Sequence, residues 1–162
     1  MFPISHFNIT RTPFYYYDKT LLSNTLAKLI RLAGERNYHV HYAVKANANP
    51  EILKLIAASG IGADCVSGGE IKAALEAGFP AKKIVFAGVG KADWEIEYAL
   101  EKKIFCFNVE SAEELSVIEE LAKKKENIAS IALRINPNID AHTHEYITTG
   151  LSENKFGIPI EM

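Results

Sequence analysis

Short apolar runs recur along the chain: HVHYAV at 39–44, GADCV at 62–66, IVFAGV at 84–89, IFCFNV at 104–109 and IALRI at 131–135. Each has strand length and is too short to be a helix of its own. Between the runs, apolar positions return at helical spacing. Leu21, Leu22, Thr25, Leu26, Leu29 and Ala33 form one such stripe, and Ile52, Leu53 and Ile56 another. Start and stop signals agree with this reading. Asp18 stands at an N-cap position, Asn49 and Pro50 suit the N-cap and first helical position of the next helix, and Gly60 closes it. Ser67 to Glu70 and Ser111 to Glu114 spell capping boxes, with Gly78 ending the first of those helices. Strand and helix alternate without a low-complexity linker, the βα rhythm that a parallel sheet requires. TPFYYYD at 12–18 precedes the rhythm and reads as a separate strand, so residues 1–18 are set apart from a repeating unit over 19–162.

Both a doubly wound sheet and a (β/α)8 barrel fit this rhythm, and side-chain parity separates them. Val40, Tyr42 and Val44 alternate with His41, Ala43 and Lys45. Phe105, Phe107 and Val109 alternate with Cys106, Asn108 and Glu110, and Ile131, Leu133 and Ile135 with Ala132, Arg134 and Asn136. One face is apolar and the other small or polar. A sheet covered by helices on both sides is apolar on both faces. A barrel turns one face to its helices and gathers polar groups at the C-terminal mouth of the other. The parity therefore predicts a barrel of TIM type. Closure takes eight strands and about 250 residues. With fewer strand runs than that, the chain reads as an incomplete barrel, the N-terminal portion of a longer enzyme with sheet edges open to pairing.

Charge narrows the partners. With 18 Lys and Arg against 20 Asp and Glu, there is no basic footprint for nucleic acid. The run Lys123-Lys124-Lys125 suits a solvated helix end. Cys65 and Cys106 lack metal-ligand spacing and read as small buried hydrophobes in a reducing compartment. The N-terminus has no signal-peptide pattern and no stretch is apolar for the length of a membrane span, so a cytoplasmic protein without membrane partners is expected.

Under the barrel reading, Lys45, Asp64, Asn108 and Arg134 fall at strand C-terminal ends on the interior parity, where barrel enzymes place their chemistry. A lysine there can lose its proton and attack a carbonyl to form a Schiff base. A surface lysine after a strand is the other reading of the same position.

The segment HYAVKANANP around Lys45 resembles the pyridoxal-phosphate lysine motif of the fold-type III decarboxylases, the family of diaminopimelate, ornithine and arginine decarboxylases. TPFYYYD, GADCVSGGE, LRINPNIDAHTHEYITTG and ENKFG match in the same order, so the resemblance covers nearly the whole chain. GADCVSGGEI and the HxHxxIxTG…NKFG ending look like the diaminopimelate branch. The resemblance implies the alanine-racemase-like barrel with a second β domain that is absent here, and pyridoxal 5'-phosphate as cofactor. It also implies a homodimer acting on a small amino-acid substrate. The reaction expected is decarboxylation of meso-diaminopimelate to L-lysine and carbon dioxide in lysine biosynthesis.

Carried over by that resemblance, Lys45 would hold the cofactor and Ala43 would face its ring. Asp64 would be an acid near the lysine, Glu70 the acid of the SGGE motif and Arg134 an arginine of the cofactor pocket. Two of these have structural alternatives: Glu70 as a helix cap, and Asp64 with Arg134 as an ion pair inside the barrel. Residues 142–150 would form an active-site loop containing His144, with Ile147 against the substrate. His142 and His144 lack a third and fourth ligand at recognised spacing, so no metal is expected. His39 and His41 are expected to be structural or deep in the barrel. Gly88 and Gly90 give too little for a nucleotide fingerprint. The remainder of the family's site lies outside these motifs, so residues 1–162 alone are expected to carry the lysine but little or no activity. The rival readings are another basic amino-acid decarboxylase or racemase of the same barrel, and a non-catalytic barrel of cofactor homeostasis.

Overall fold

The computed structural model describes residues 3–137 and 157–160. A short helix α1 (Ile4–Phe7) precedes α2 (Lys19–Gly34). Then β1 (His41–Ala43), α3 (Pro50–Ala58), β2 (Gly62–Cys65) and α4 (Gly68–Glu76) follow. After them come β3 (Ile84–Phe86), α5 (Asp93–Lys102), β4 (Cys106–Val109), α6 (Ala112–Lys124) and β5 (Ile131–Leu133). β1 to β5 form one parallel sheet in sequential order, and β6 (Ile135–Asn136) pairs with β7 (Ile158–Pro159) in a separate ribbon.

Strand order without a reversal decides between the two candidate architectures. A doubly wound sheet reverses direction at a switch point to place helices on both faces. Here each strand pairs with the next in sequence, and crossovers of the usual right hand between such neighbours put successive helices on the same side, as in a barrel wall. The registers carry the parity through: Ala63 lies beside Ile84, Cys65 beside Phe86, Phe86 beside Phe107 and Val109 beside Leu133. That side packs on the helices. Val109, Phe86, Ile84, Cys65 and Ala63 bury there with Ile71, Ile96 and Ile118. Phe86 and Phe107 rings sit 6.1 Å apart at its centre. The other face carries His41, Ala43, Gly62, Asp64, Val85, Cys106, Asn108 and Ala132.

The helices begin where the sequence signals stand. Asp18 accepts from the Leu21 N–H at 2.9 Å, and Asn49 accepts from Glu51 and Ile52 at 3.0 and 3.4 Å with Pro50 opening the helix. Gly60 and Gly78 take φ of +86° and +99°, the left-handed conformation that ends a helix with little strain only at glycine. Lys123 and Lys124 pair one turn back with Glu119 and Glu120 at the solvated end of α6.

Several expectations change. Residues 14–18 are assigned to no helix or strand, so the strand expected at 12–18 is not seen among the described residues. In α2 the core side is Leu22, Leu26, Ile30 and Ala33, whereas Leu21 and Leu29 stay exposed. Phe105 leaves the helix-facing side, because β4 begins only at Cys106, and stacks on His41 with centroids 6.3 Å apart. His41 lies over Gly62, where a Cβ would fall 2.3 Å from the imidazole Cδ2, so the N-terminal end of the interior is filled from β1. His39 is exposed instead of deep. The run at 131–135 is split, its Ile135 joining the second ribbon.

Candidate active site at the strand C-terminal ends

Lys45 does not continue β1. Val44–Ala46 forms a single 3-10 turn, closed by the Asn47 N–H on the Val44 carbonyl at 3.1 Å. The helix start at Asn49-Pro50 is so near that the chain must turn at once. Asn47 organises the turn: its Oδ1 accepts from the Asn49 N–H at 2.9 Å, its Nδ2 donates to the Tyr17 hydroxyl at 3.0 Å, and its carbonyl accepts from the Tyr42 hydroxyl at 3.2 Å. Val44 is fully buried, which anchors the turn in the core, while the Lys45 side chain is exposed at the mouth.

Ala43 and Asp64 are register partners on the interior face. Asp64 Oδ1 is buried and has no hydrogen-bond partner among the described residues. Burial pushes the Asp64 carboxyl above its ordinary value, with the charges of Lys45 and His41 pulling the other way. Burial likewise lowers the His41 pKa, against the opposing pull of Asp64. Lys45, Ala43 and Asp64 thus form one cluster: an amine, a small side chain and a desolvated carboxylate with an unused acceptor.

Arg134 is held elsewhere. Its Nη1 lies 3.1 and 3.2 Å from the two oxygens of Glu110, so the ion pair expected between Arg134 and Asp64 is replaced by Arg134 with Glu110. The reason is local: the Arg134 N–H bonds to the Val109 carbonyl, which sets the arginine beside the end of β4, the next strand in the sheet. Glu70 behaves as a cap. Its N–H donates to Ser67 Oγ at 3.2 Å and its Oε2 accepts from the Val66 N–H at 2.8 Å. Ser111 and Glu114 repeat the device on Glu110. His144 and Ile147 lie outside the described residues. Among those residues no group of three His, Cys, Asp or Glu side chains could hold a metal ion.

Three buried charged side chains, Glu95, Lys91 and Glu110, had no site role in the sequence analysis. Glu95 accepts from Gly68 and Ala92 N–H groups at 2.7 and 2.9 Å, tying the start of α4 to that of α5. Lys91 is buried under three acceptors. Glu110 fell on the interior parity, which was the signal that could have found it. Lys91 follows a glycine-rich turn, and nothing in that context marks it as buried.

A parallel sheet in sequential order, with Lys45, Ala43 and Asp64 gathered at its strand C-terminal ends, places the chain among the (β/α)-barrel proteins. The chain belongs to the family described as pyridoxal-dependent decarboxylase, pyridoxal binding domain, whose family model matches residues 23–162. It is 62% identical over 162 residues to a diaminopimelate decarboxylase of Bacteroides thetaiotaomicron, covering 99% of this chain and 42% of that protein. The crystal structure of diaminopimelate decarboxylase from Helicobacter pylori complexed with L-lysine superposes with a TM-score of 0.84 at 47% identity, over 96% of this chain and 40% of that one. The enzyme from M. jannaschii in co-complex with L-lysine gives 0.87 at 41% identity, over 98% and 38%. The chain spans about two fifths of the length of the relatives it matches.

Proposed function

We propose that this chain supplies the pyridoxal-binding barrel portion of a diaminopimelate decarboxylase, which converts meso-diaminopimelate to L-lysine and carbon dioxide. The observation that carries the reading is the Lys45 cluster, with Asp64 Oδ1 buried and, among the described residues, unpartnered beside it. An unsatisfied buried acceptor costs about 1–3 kcal/mol, so it marks a place where a bound group belongs. The residues present suit pyridoxal phosphate: an amine to hold it, small Ala43 and Ala132 on the same face, and a guanidinium at the same end of the sheet. The relatives, named for this reaction at 46–62% identity, support the choice of substrate.

Lys45 would hold the cofactor, Ala43 would lie against it, and Asp64 and Arg134 would complete its surroundings. When bound, pyridoxal phosphate accepts the electron pair left behind as the carboxylate departs as carbon dioxide. Lys45 Nζ, at the strand ends, would hold the group and would handle the proton that replaces the carboxylate. Asp64, with its raised pKa, keeps a proton more readily than an ordinary carboxylate and offers Oδ1 as the acceptor. Glu70 fixes the β2–α4 corner as its cap, and residues 142–150, with His144 and Ile147, are assigned to the substrate. The same reading makes the complete protein a cytoplasmic homodimer, with residues 1–18 a lead-in to the barrel portion at 19–162. Two free buried cysteines support a reducing compartment, and no helix among the described residues is long and apolar enough to cross a membrane.

The test is carbon dioxide release by the complete protein, loaded with pyridoxal phosphate, from meso-diaminopimelate, ornithine and arginine in parallel, together with alanine racemisation. Turnover of meso-diaminopimelate, lost in Lys45→Ala, is expected. Preference for another substrate, cofactor binding without any turnover, or an active Lys45→Ala protein would overturn the reading.

A further inference from the structure

Away from the Lys45 cluster, the least expected group is a buried ammonium. The Lys91 side chain is 1% exposed. Its Nζ donates to the Gly88 carbonyl at 2.7 Å, the Asn108 carbonyl at 2.8 Å and the Glu114 carboxylate, with the Phe86 ring 5.3 Å away. An ammonium has three donors, and all three are used. Lys91 thereby clamps the segments leaving β3 and β4 to the first turn of α6. The other Glu114 oxygen accepts the Glu110 N–H at 2.8 Å, and the Glu110 carboxylate, 4% exposed, grips Arg134. One continuous set of polar contacts runs from Lys91 to the guanidinium.

The β2–α4 corner serves as an internal control. It has the same Ser-x-x-Glu cap, but the capped residue is Val66 and no lysine pairs with Glu70 among the described residues. A cap alone is sufficient to start a helix there. Stability does not explain the added charges, because a buried ion pair gains little over well-packed apolar residues of the same size.

We propose that Lys91 and Glu110 are positioning residues that act through Glu114 and Arg134: they fix the direction of the guanidinium at the strand C-terminal ends and thereby set the affinity for pyridoxal phosphate. The inference rests on the assignment of Arg134 to the cofactor site made above.

The experiment measures the Kd of pyridoxal phosphate for the complete apoprotein by titration of visible absorbance. Lys91→Met with Glu114→Leu leaves no buried charge unpaired. Glu110→Gln keeps the backbone contact to Glu114 and serves as the second variant should the first fail to fold. Each is expected to weaken binding about tenfold, the scale of one misdirected charge-assisted contact. Combined with Arg134→Met, neither should weaken binding beyond Arg134→Met alone. Losses that multiply in the combined variants, or unchanged affinity in Glu110→Gln, would overturn the proposal while leaving the cofactor site standing. Unchanged affinity in Arg134→Met by itself would remove Arg134 from that site, and the proposal with it.

Discussion

Arg134 rests on Glu110, with Nη1 at 3.1 and 3.2 Å from the two carboxylate oxygens. The two partners differ in burial: the Arg134 side chain is 42% exposed and that of Glu110 4%. Removing the arginine strands a buried carboxylate, whereas removing the carboxylate leaves an arginine that water already reaches. Arg134→Ala is therefore expected to cost about 3 kcal/mol of stability, and Glu110→Ala about 1 kcal/mol. Urea unfolding of the two variants checks the order; equal losses would mean that the burial difference does not govern the pair.

Gly62 has no room for a side chain. A Cβ there would lie 2.3 Å from His41 Cδ2 and 2.5 Å from the Lys83 carbonyl oxygen, and the second of these is backbone. Gly62→Ala should destabilise by about 2 kcal/mol through overpacking. Gly62→Ala with His41→Ala should recover only part of that loss, because the carbonyl contact remains. Full recovery in thermal melts would mean that the imidazole alone sets the constraint.

Legibility followed the range of the forces involved. Caps and helix stops were readable because they involve residues three or four apart, as at Asp18, Asn49 and Ser67. Barrel parity was readable because an apolar face is a property of the strand itself, as at Phe107 and Val109. The partner of Arg134 was not, since it depends on which strand lies beside β5 and how far it has advanced along the register. Lys91 was hidden for the same reason: its acceptors come from Gly88, Asn108 and Glu114, brought together only by the fold. Tyr15 and Tyr17 alternate with Phe14 and Tyr16 as a strand would, but alternation says which residues share a face and not whether another strand lies beside them.

Cys65 is buried, and burial, with Glu70 and Asp64 nearby, pushes its thiol up to about 12. Burial and Asp64 also raise Cys106. The thiolate is the reactive form, so Cys65 labelling by iodoacetamide at pH 8 should run roughly a thousandfold below that of an ordinary thiol. Both cysteines should label on unfolding, and rapid labelling of either in the folded protein would contradict their burial.

Asp64 has a higher pKa in the folded protein than its ordinary 3.8, burial being the largest cause. Such an acid carries no penalty below the unfolded value, and its contribution to stability is lost as pH rises through the folded value. Asp64→Asn in the apoprotein should therefore match the wild type near pH 3 and exceed it in stability at neutral pH. Denaturation at the two pH values gives the answer; a less stable variant at neutral pH would show that attraction to Lys45 and His41 outweighs burial.

The central claim is that Lys45 holds the cofactor. Reduction of the pyridoxal-phosphate-loaded complete protein with borohydride, followed by proteolysis and mass spectrometry, locates the attachment directly. A pyridoxyl group on Lys45, absent from Lys45→Ala, is the predicted result. A label on Lys91 or any other lysine, or no label in protein that shows the visible absorbance of bound cofactor, would contradict it.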